Sequence, residues 1–203
     1  MFSGEKIVVF DCEIKKEIKT QEDWRDFKTM GVSCLVLYDY ETSRFRTFDD
    51  RNIQEGLKIL SDAEILVGYN IMDFDIPLLS NTYSEIPEGL SLHNQTLDKE
   101  LNYAPFVFDI LQEIWKKVER HSGGCKLDDI AYETLGLKKS GNGAHAPVLF
   151  KEQRYAELFD YCIQDVKIEK ELFEYVCLYQ HIKRKGALID IDVPTKLDKS
   201  IKY

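Results

Sequence analysis

The sequence predicts an α/β fold in which a mixed central sheet is flanked by helices. An apolar run that begins at Lys6 is typical of a buried strand, and two β-rich runs between Gly31 and Phe48 flank a short polar turn. These two runs predict an antiparallel hairpin. The strands after them alternate with amphipathic helical segments. An antiparallel start followed by such alternation indicates a mixed sheet covered by helices.

The individual elements follow from hydrophobic periodicity and from turn residues. Strands are predicted at 6–14, 31–40, 45–48, 64–70, 106–108 and 187–193. Helices are predicted at 52–61, 77–83, 109–120, 127–135 and 153–180, with a short helix or a loop at 15–28. Gly136 is expected to cap the end of one helix, and Asp109 with Gln112 fits a capping box at the start of another. The polar stretch 84–104 gives no assignment.

The length of the chain indicates how many domains it forms, and its net charge limits which classes of function are plausible. The 203 residues fit a single domain, 1–203, with a core at 6–178 and a C-terminal strand appendage at 187–193. The net charge of −9 argues against a passive nucleic-acid binder, which is usually basic. It is compatible with an enzyme whose positive charge is supplied by metal ions.

Cysteine usage and apolar runs indicate the compartment. The five cysteines are odd in number and form no CxxC pair, which predicts reduced thiols. They show no zinc-ligand spacing with the four histidines, so no zinc site is expected. The N-terminus lacks a signal-peptide layout, and no apolar run reaches membrane-spanning length. We therefore expect a cytoplasmic protein.

Two carboxylates occupy one face of the first predicted strand. Asp11 and Glu13 are two residues apart at the end of the apolar run, and residues i and i+2 of a strand point to the same face. Buried carboxylates need cations, hydrogen bonds or a shifted pKa. A divalent metal ion is one such answer.

A third carboxylate interrupts the apolar stripe of the long predicted helix. The stripe repeats every three or four residues, and Asp165 stands where a Leu or Ile is expected. Tyr161 lies one turn earlier on the same face. Such departures from a local pattern tend to fall at functional sites. The stripe consists of Leu158, Tyr161, Asp165, Ile168, Leu172, Val176 and Tyr179.

A fourth carboxylate, Asp75, follows the predicted strand at 64–70 and a turn. Taken alone, it is better explained by a helix N-cap than by a functional role, because Pro77 suits the first turn of a helix.

Together, these placements resemble the three motifs of the DEDD superfamily of 3′→5′ exonucleases, which have a ribonuclease H-like fold. The tyrosine subtype has Tyr four residues before the last Asp, as here, whereas the histidine subtype has His where this chain has Asp160. The chain looks especially like the proofreading exonuclease domain of family-B DNA polymerases. The matching stretches are Phe10-Asp11-Cys12-Glu13, Asn70-Ile71-Met72-Asp73-Phe74-Asp75 and Tyr161-Cys162-Ile163-Gln164-Asp165.

The resemblance implies hydrolysis of phosphodiester bonds with two Mg²⁺ or Mn²⁺ ions. Asp11 would bridge both ions, and Glu13 and Asp165 would complete the site of the ion that carries the attacking water. Asp75 would serve the second ion, directly or through water, and Tyr161 would orient the attacking water. Metal ions about 3.5–4 Å apart stabilise the attacking and the leaving oxygens of such a displacement.

Further residues are candidates for substrate contact. Phe74 resembles the family's aromatic residue near the terminal base, although a core position is equally plausible, and Asn70 either contacts substrate or holds the loop that carries Asp75. Ile14 stands where family members often have Thr. Lys138 and Lys139 begin a loop that could follow phosphates. For the basic run at 181–185 we expect a solvated helix end.

Alternatives stay open at this point. The same site would serve an exoribonuclease, and the domain could instead be a nucleic-acid-binding or structural subunit of a DNA-processing complex. The likeness to the polymerase domain favours single-stranded DNA 3′ ends as substrate, with a protein partner in a repair or replication complex. The plainest alternative makes Asp11 and Glu13 a strand end, Asp75 a cap and Asp165 one member of a buried ion pair.

Overall fold

A five-stranded mixed sheet forms the centre of the structure, a computed structural model that describes residues 1–20, 22–83, 106–138 and 145–200. The strand order is β3-β2-β1-β4-β5. β1 pairs antiparallel with β2, which pairs antiparallel with β3, whereas β1, β4 and β5 run parallel. The strands are β1 (Ile7–Ile14), β2 (Val32–Asp39), β3 (Arg44–Phe48), β4 (Ile65–Gly68) and β5 (Phe106–Asp109).

Helices surround the sheet, and a separate hairpin follows the last of them. A 3₁₀ helix at Glu22–Arg25 lies between β1 and β2. The hairpin consists of β6 (His181–Arg184) and β7 (Ala187–Asp190). The α-helices are α1 (Phe27–Met30), α2 (Ile53–Asp62), α3 (Asp75–Thr82), α4 (Ile110–Trp115), α5 (Leu127–Leu135), α6 (Ala146–Lys151) and α7 (Tyr155–Tyr179).

The two faces of the sheet bury two separate cores, and this division positions the site. Ile7 and Val9 of β1 belong to the core that contains the apolar stripe of α7, whereas Val8 and Phe10 belong to the core that contains α2 and α3. Burying one such side chain contributes roughly 1.5–3 kcal/mol, so burial on both faces anchors β1 at the centre of the sheet. Asp11 continues the odd-numbered series and therefore lies on the α7 face.

The mixed α/β fold and its main elements confirm the sequence prediction. Gly136 ends α5 in the left-handed conformation, with φ 73°, as expected of a C-terminal cap. The Asp109 side chain caps α4 by accepting from the backbone N–H groups of Leu111 and Gln112. The side chain of Gln112 does not complete the expected box but donates to Asp73 at 2.9 Å.

Five details of the prediction are wrong, one of which is that the last strand ends at Asp190 rather than at 193. Asp75 is the first residue of α3, whose N-cap is Phe74, and the helix after Asp109 ends at Trp115 rather than at 120. The basic run at 181–185 contains strand β6 instead of a helix end, because α7 stops at Gln180 with φ 57°. Tyr179, the last member of the predicted stripe, is 56% exposed.

The unassigned stretch 84–104 falls outside the described residues. In the ranges that are described, none of the helices combines the length and apolarity needed to cross a bilayer.

Candidate active site

The second half of β1 extends beyond the end of its parallel neighbour. β4 pairs with β1 only from Ile7 to Val9 and ends at Gly68. A Cβ at Gly68 would lie 2.9 Å from the Phe10 carbonyl oxygen, which is too close for any side chain. Only glycine therefore fits at the point where β4 ends beside β1. The register of the β1–β2 pair then shifts between Glu13 and Ile14. A strand end that extends past its neighbouring strand and has an irregular register is a common place for a functional side chain.

α7 lies over this strand end and brings a thiol and two motif residues to it. One carboxylate oxygen each of Asp11 and Glu13 and the sulfur atom of Cys162, all possible metal ligands, lie within 4.8 Å of one another. Cys162 Sγ donates to Asp11 Oδ2 at 3.4 Å. Among the described residues, Asp75 and Asp165 are not members of this 4.8 Å group. Asp165 is nevertheless buried on the same helix, at 4% exposure.

Tyr161 links the carboxylates of β1 to the carboxylate of α7. Burial raises the pKa of its phenol, and the negative charges of Asp165, Glu13 and Asp11 raise it further, as does hydrogen bonding to Asp165. These three carboxylates therefore all act on one hydroxyl group. The phenol stays protonated at neutral pH and remains a hydrogen-bond donor.

The two cysteines beside the carboxylates also stay protonated. Burial is the main cause that raises the pKa of Cys162, and burial followed by the charge of Asp75 raises the pKa of Cys12. Both thiols are thus neutral donors rather than thiolate ligands. Sequence analysis gave neither of them a role, because a cysteine in an apolar run carries no signal beyond core packing.

Asp75 reaches β1 from the other side of the strand. Its Oδ1 accepts from the Cys12 backbone N–H at 3.0 Å and from Cys12 Sγ at 3.1 Å. Since β4 ends before this point, the carboxylate takes the place of a neighbouring strand as partner for that N–H group. Burial raises the pKa of Asp75 from 3.8 to about 6, against the lowering effect of the two Cys12 hydrogen bonds.

The loop before Asp75 is held by Asp109, a residue that sequence analysis treated only as a helix cap. Asp109 is 1% exposed, and besides capping α4 it accepts from the backbone N–H groups of Asn70 at 2.9 Å and Met72 at 3.0 Å. Asn70 adopts a left-handed φ of 71°, which asparagine tolerates better than most residues. Its carbonyl accepts from Phe74 N at 3.0 Å, so the backbone of Asn70 organises the turn.

The other candidate contacts are distributed away from the acidic group. Ile14 is buried in the core that contains α2 and α3, on the opposite side of the sheet from α7. Phe74 packs on that same core, with its ring 5.9 Å from that of Phe27. Lys138 is exposed, and its ammonium group lies over the ring of Tyr132 on α5. Lys139 lies outside the described residues.

The donor set fits a hard divalent cation. Carboxylate oxygens are the ligands that Mg²⁺ and Mn²⁺ prefer, and the uncharged thiol of Cys162 adds no competing soft ligand. Asp11 and Glu13 offer such oxygens together, and Asp165 adds negative charge beside them. The arrangement concentrates negative charge at one strand end, and a bound cation would offset that charge.

Comparisons with known proteins were made on the sequence and on the fold. A family model described as the RNase_H superfamily matches residues 23–177. The structure of the family B DNA polymerase from the hyperthermophilic archaeon Pyrobaculum calidifontis is similar to this fold, with a TM-score of 0.64 and 21% identity. The likeness covers 84% of this chain and 24% of the polymerase chain, and at this identity it concerns the fold alone. No curated protein matches the sequence.

Proposed function

The chain belongs to the RNase_H superfamily, and we propose that it is a metal-dependent 3′→5′ exonuclease that hydrolyses phosphodiester bonds of single-stranded DNA. The observation that carries this proposal is the convergence of Asp11 and Glu13 with Tyr161 and Asp165 at the free end of β1. The direction of degradation and the choice of DNA rest on the motif resemblance to proofreading exonuclease domains. The fold likeness to a family B DNA polymerase supports the nuclease-like fold on which the proposal is built.

The acidic side chains would provide the metal sites. Asp11, Glu13, Asp75 and Asp165 would hold two divalent ions, Mg²⁺ or Mn²⁺, which when bound stabilise the attacking and leaving oxygens of an in-line displacement. The Cys162 thiol donates to Asp11 and so fixes the orientation of that carboxylate. Asp75 is positioned by Cys12 on one side and by the loop that Asp109 anchors on the other.

Tyr161 would act on the water that attacks the phosphorus atom. Its hydroxyl is surrounded by carboxylate charge and stays protonated, so it can donate a hydrogen bond to an oxygen acceptor. A rigid helix holds it one turn from Asp165. Oriented donors of this kind typically contribute roughly 10²–10³ in rate.

A cleavage ladder tests the proposal. Single-stranded DNA and RNA of one sequence, each labelled at the 5′ end, would be incubated with Mg²⁺ or Mn²⁺ and, separately, with EDTA. We expect metal-dependent shortening of the DNA from its 3′ end. Asp11→Asn removes a carboxylate without changing the shape of the side chain, so it should abolish the ladder while leaving the far-UV circular dichroism unchanged.

Each result separates the proposal from its alternatives. A ladder on RNA alone would replace the proposal by an exoribonuclease. A ladder that persists in Asp11→Asn would refute the metal-site assignment. No ladder on either strand, with metal binding established by calorimetry, would favour a nucleic-acid-binding or structural subunit of a larger complex.

A further inference from the structure

We propose that the segment between β1 and β2 binds the single strand that leads to the site, with the Trp24 indole as a stacking platform for a nucleobase. The proposal rests on the proposed function, because it assigns a path to the substrate of the same site. It adds residues that carry no part of the exonuclease motifs. The partner is single-stranded nucleic acid, recognised by base faces and phosphates.

Trp24 connects directly to the second motif. It lies on the 3₁₀ helix between β1 and β2 and is 54% exposed. Its ring packs edge-on against the ring of Phe74, with 6.1 Å between centroids and 64° between planes. Phe74 immediately precedes Asp75, so the indole stands next to the turn that carries an acidic residue of the site. Phe27 supports Phe74 from a second direction.

A basic groove begins at the same end of β1. It has a volume of about 540 Å³ and is lined by Lys15, Lys16, Lys19 and Lys151, together with Phe150 and other residues. Lys15 comes two residues after Glu13. Asp23, the neighbour of Trp24, also lines the groove. The groove therefore lies beside the segment that follows β1 and beside the 3₁₀ helix that carries Trp24.

The charge of the groove is opposite to that of the whole chain. Four lysines line it against the two acids Glu17 and Asp23, in a protein whose net charge is −9. Three of the lysines are ion-paired, because Lys16 lies 3.3 Å from Asp23, Lys19 lies 3.5 Å from Glu17, and Lys15 pairs with Asp50. Such exposed pairs are weak, at roughly 0–1 kcal/mol, and phosphates can displace them. A local positive path in an acidic protein guides a polyanion to this place on the surface.

An exposed aromatic ring together with a lysine-lined groove is the combination that proteins use to bind single-stranded nucleic acid. Aromatic faces stack successive bases without sequence preference, and a positive groove follows the backbone. A single exposed aromatic side chain is ordinary on protein surfaces and would carry nothing alone. Here the indole packs on a motif residue, and the residue before it, Asp23, lines a groove that contains four lysines. These two observations together point to a strand rather than to an apolar partner.

Intrinsic fluorescence tests the stacking. The chain has two tryptophans, Trp24 and Trp115, and the second packs against Arg120 and His121 on another part of the fold. Oligothymidylate and oligouridylate would be titrated in EDTA, which prevents cleavage. We expect quenching in the parent and in Trp115→Phe, and no quenching in Trp24→Phe. Quenching that persists in Trp24→Phe would overturn the stacking.

Affinity measured by anisotropy of the same labelled oligonucleotides tests the energetics. Trp24→Leu should weaken binding by roughly five- to a hundredfold, as expected for the loss of one base stack. The matched control is Tyr179→Leu, because Tyr179 is equally exposed at 56%. It lies about 21 Å along α7 from Asp165, at about 1.5 Å per residue. The control should bind like the parent.

Salt dependence tests the groove. Lys151→Gln should flatten the slope of log affinity against log salt by roughly 0.7, the value for one phosphate contact on a single strand. Lys58→Gln, an exposed lysine on α2, should leave the slope unchanged. Equal slopes for parent and Lys151→Gln would overturn the groove, and absence of binding by the parent would overturn the whole inference. Because these measurements contain no metal, the cleavage ladder tests the proposed function separately.

Discussion

Asp75→Asn should stabilise the metal-free protein while it removes metal-dependent cleavage. Burial makes the ionised carboxylate unfavourable, and its pKa is raised to about 6 for that reason. Asparagine keeps an oxygen at the position that accepts from the Cys12 backbone N–H. It carries no charge, so the unfavourable contribution disappears. The same change removes a carboxylate that we assign to the metal sites.

The magnitude follows from the raised pKa. The difference between 3.8 in the unfolded chain and about 6 in the folded protein, at about 1.4 kcal/mol per pH unit, gives about 3 kcal/mol. The sign follows from the direction of the shift. A folded-state pKa above the unfolded value means that the protonated group stabilises the fold below about pH 4. This stabilisation is lost as the pH rises through about 6.

Urea unfolding in EDTA, followed by far-UV circular dichroism, measures the effect. At pH 7 the midpoint of Asp75→Asn should be higher than that of the parent by the equivalent of about 3 kcal/mol. At pH 4 the difference should nearly vanish, because the parent carboxyl is then protonated. Glu64→Gln, which changes an exposed carboxylate just before β4, is the control and should show no such pH-dependent gain.

Two outcomes would refute this reasoning. If Asp75→Asn were less stable than the parent at pH 7, the hydrogen bonds to Cys12 would outweigh the cost of burying the charge. If the two proteins differed equally at pH 4 and pH 7, the effect would not arise from ionisation. Retained cleavage at the parent rate, in a protein stabilised as expected, would instead remove Asp75 from the metal sites.

Two further predictions concern the phenol and the loop anchor. Tyr161→Phe should lower kcat by roughly 10²–10³ while metal affinity measured by calorimetry stays the same, and a variant as fast as the parent would remove the water-orienting role. Asp109→Ala takes the acceptor from the partly buried N–H groups of Asn70 and Met72, each worth roughly 1–3 kcal/mol. It should therefore lower the free energy of unfolding by about 3 kcal/mol or more in urea titrations, and an unchanged midpoint would show that water replaces the carboxylate.

Much of the fold could be predicted because its determinants are local. The continuous apolar run of β1 marks a strand buried on both faces, and the three-to-four-residue stripe of α7 marks the buried face of a helix. Gly136 marks a helix end because only a left-handed residue fits there. The same local patterns made Asp11 and Asp165 visible, since each is a charge at a position whose neighbours are buried.

The end of α7 could not be predicted for a related reason. Gln180 ends the helix in the left-handed conformation, which glycine or asparagine would have indicated and glutamine does not. The basic residues after it therefore looked like a helical continuation. They form strand β6 because Ile182 can pair there with Ile189 and bury its side chain.

The support of the site was also beyond sequence analysis, since it joins distant parts of the chain. Cys12 and Asp75 are 63 residues apart, and Asp109 accepts from residues 37 and 39 positions earlier. No periodicity reports such pairs. The acidic side chains could be predicted because they break local patterns, whereas the neutral groups that hold them could not, because those groups fit the patterns.

The choice of neutral groups has a physical reason. A lysine or arginine beside Asp11 or Asp75 would orient the carboxylate equally well, but it would also neutralise it and compete with a metal cation. The thiols of Cys162 and Cys12 donate hydrogen bonds to these carboxylates and add no charge, because burial keeps both protonated. The site thus keeps its negative charge at a cost in stability, which Asp75→Asn should recover. A protein that used these carboxylates only for structure would have no reason to retain that cost.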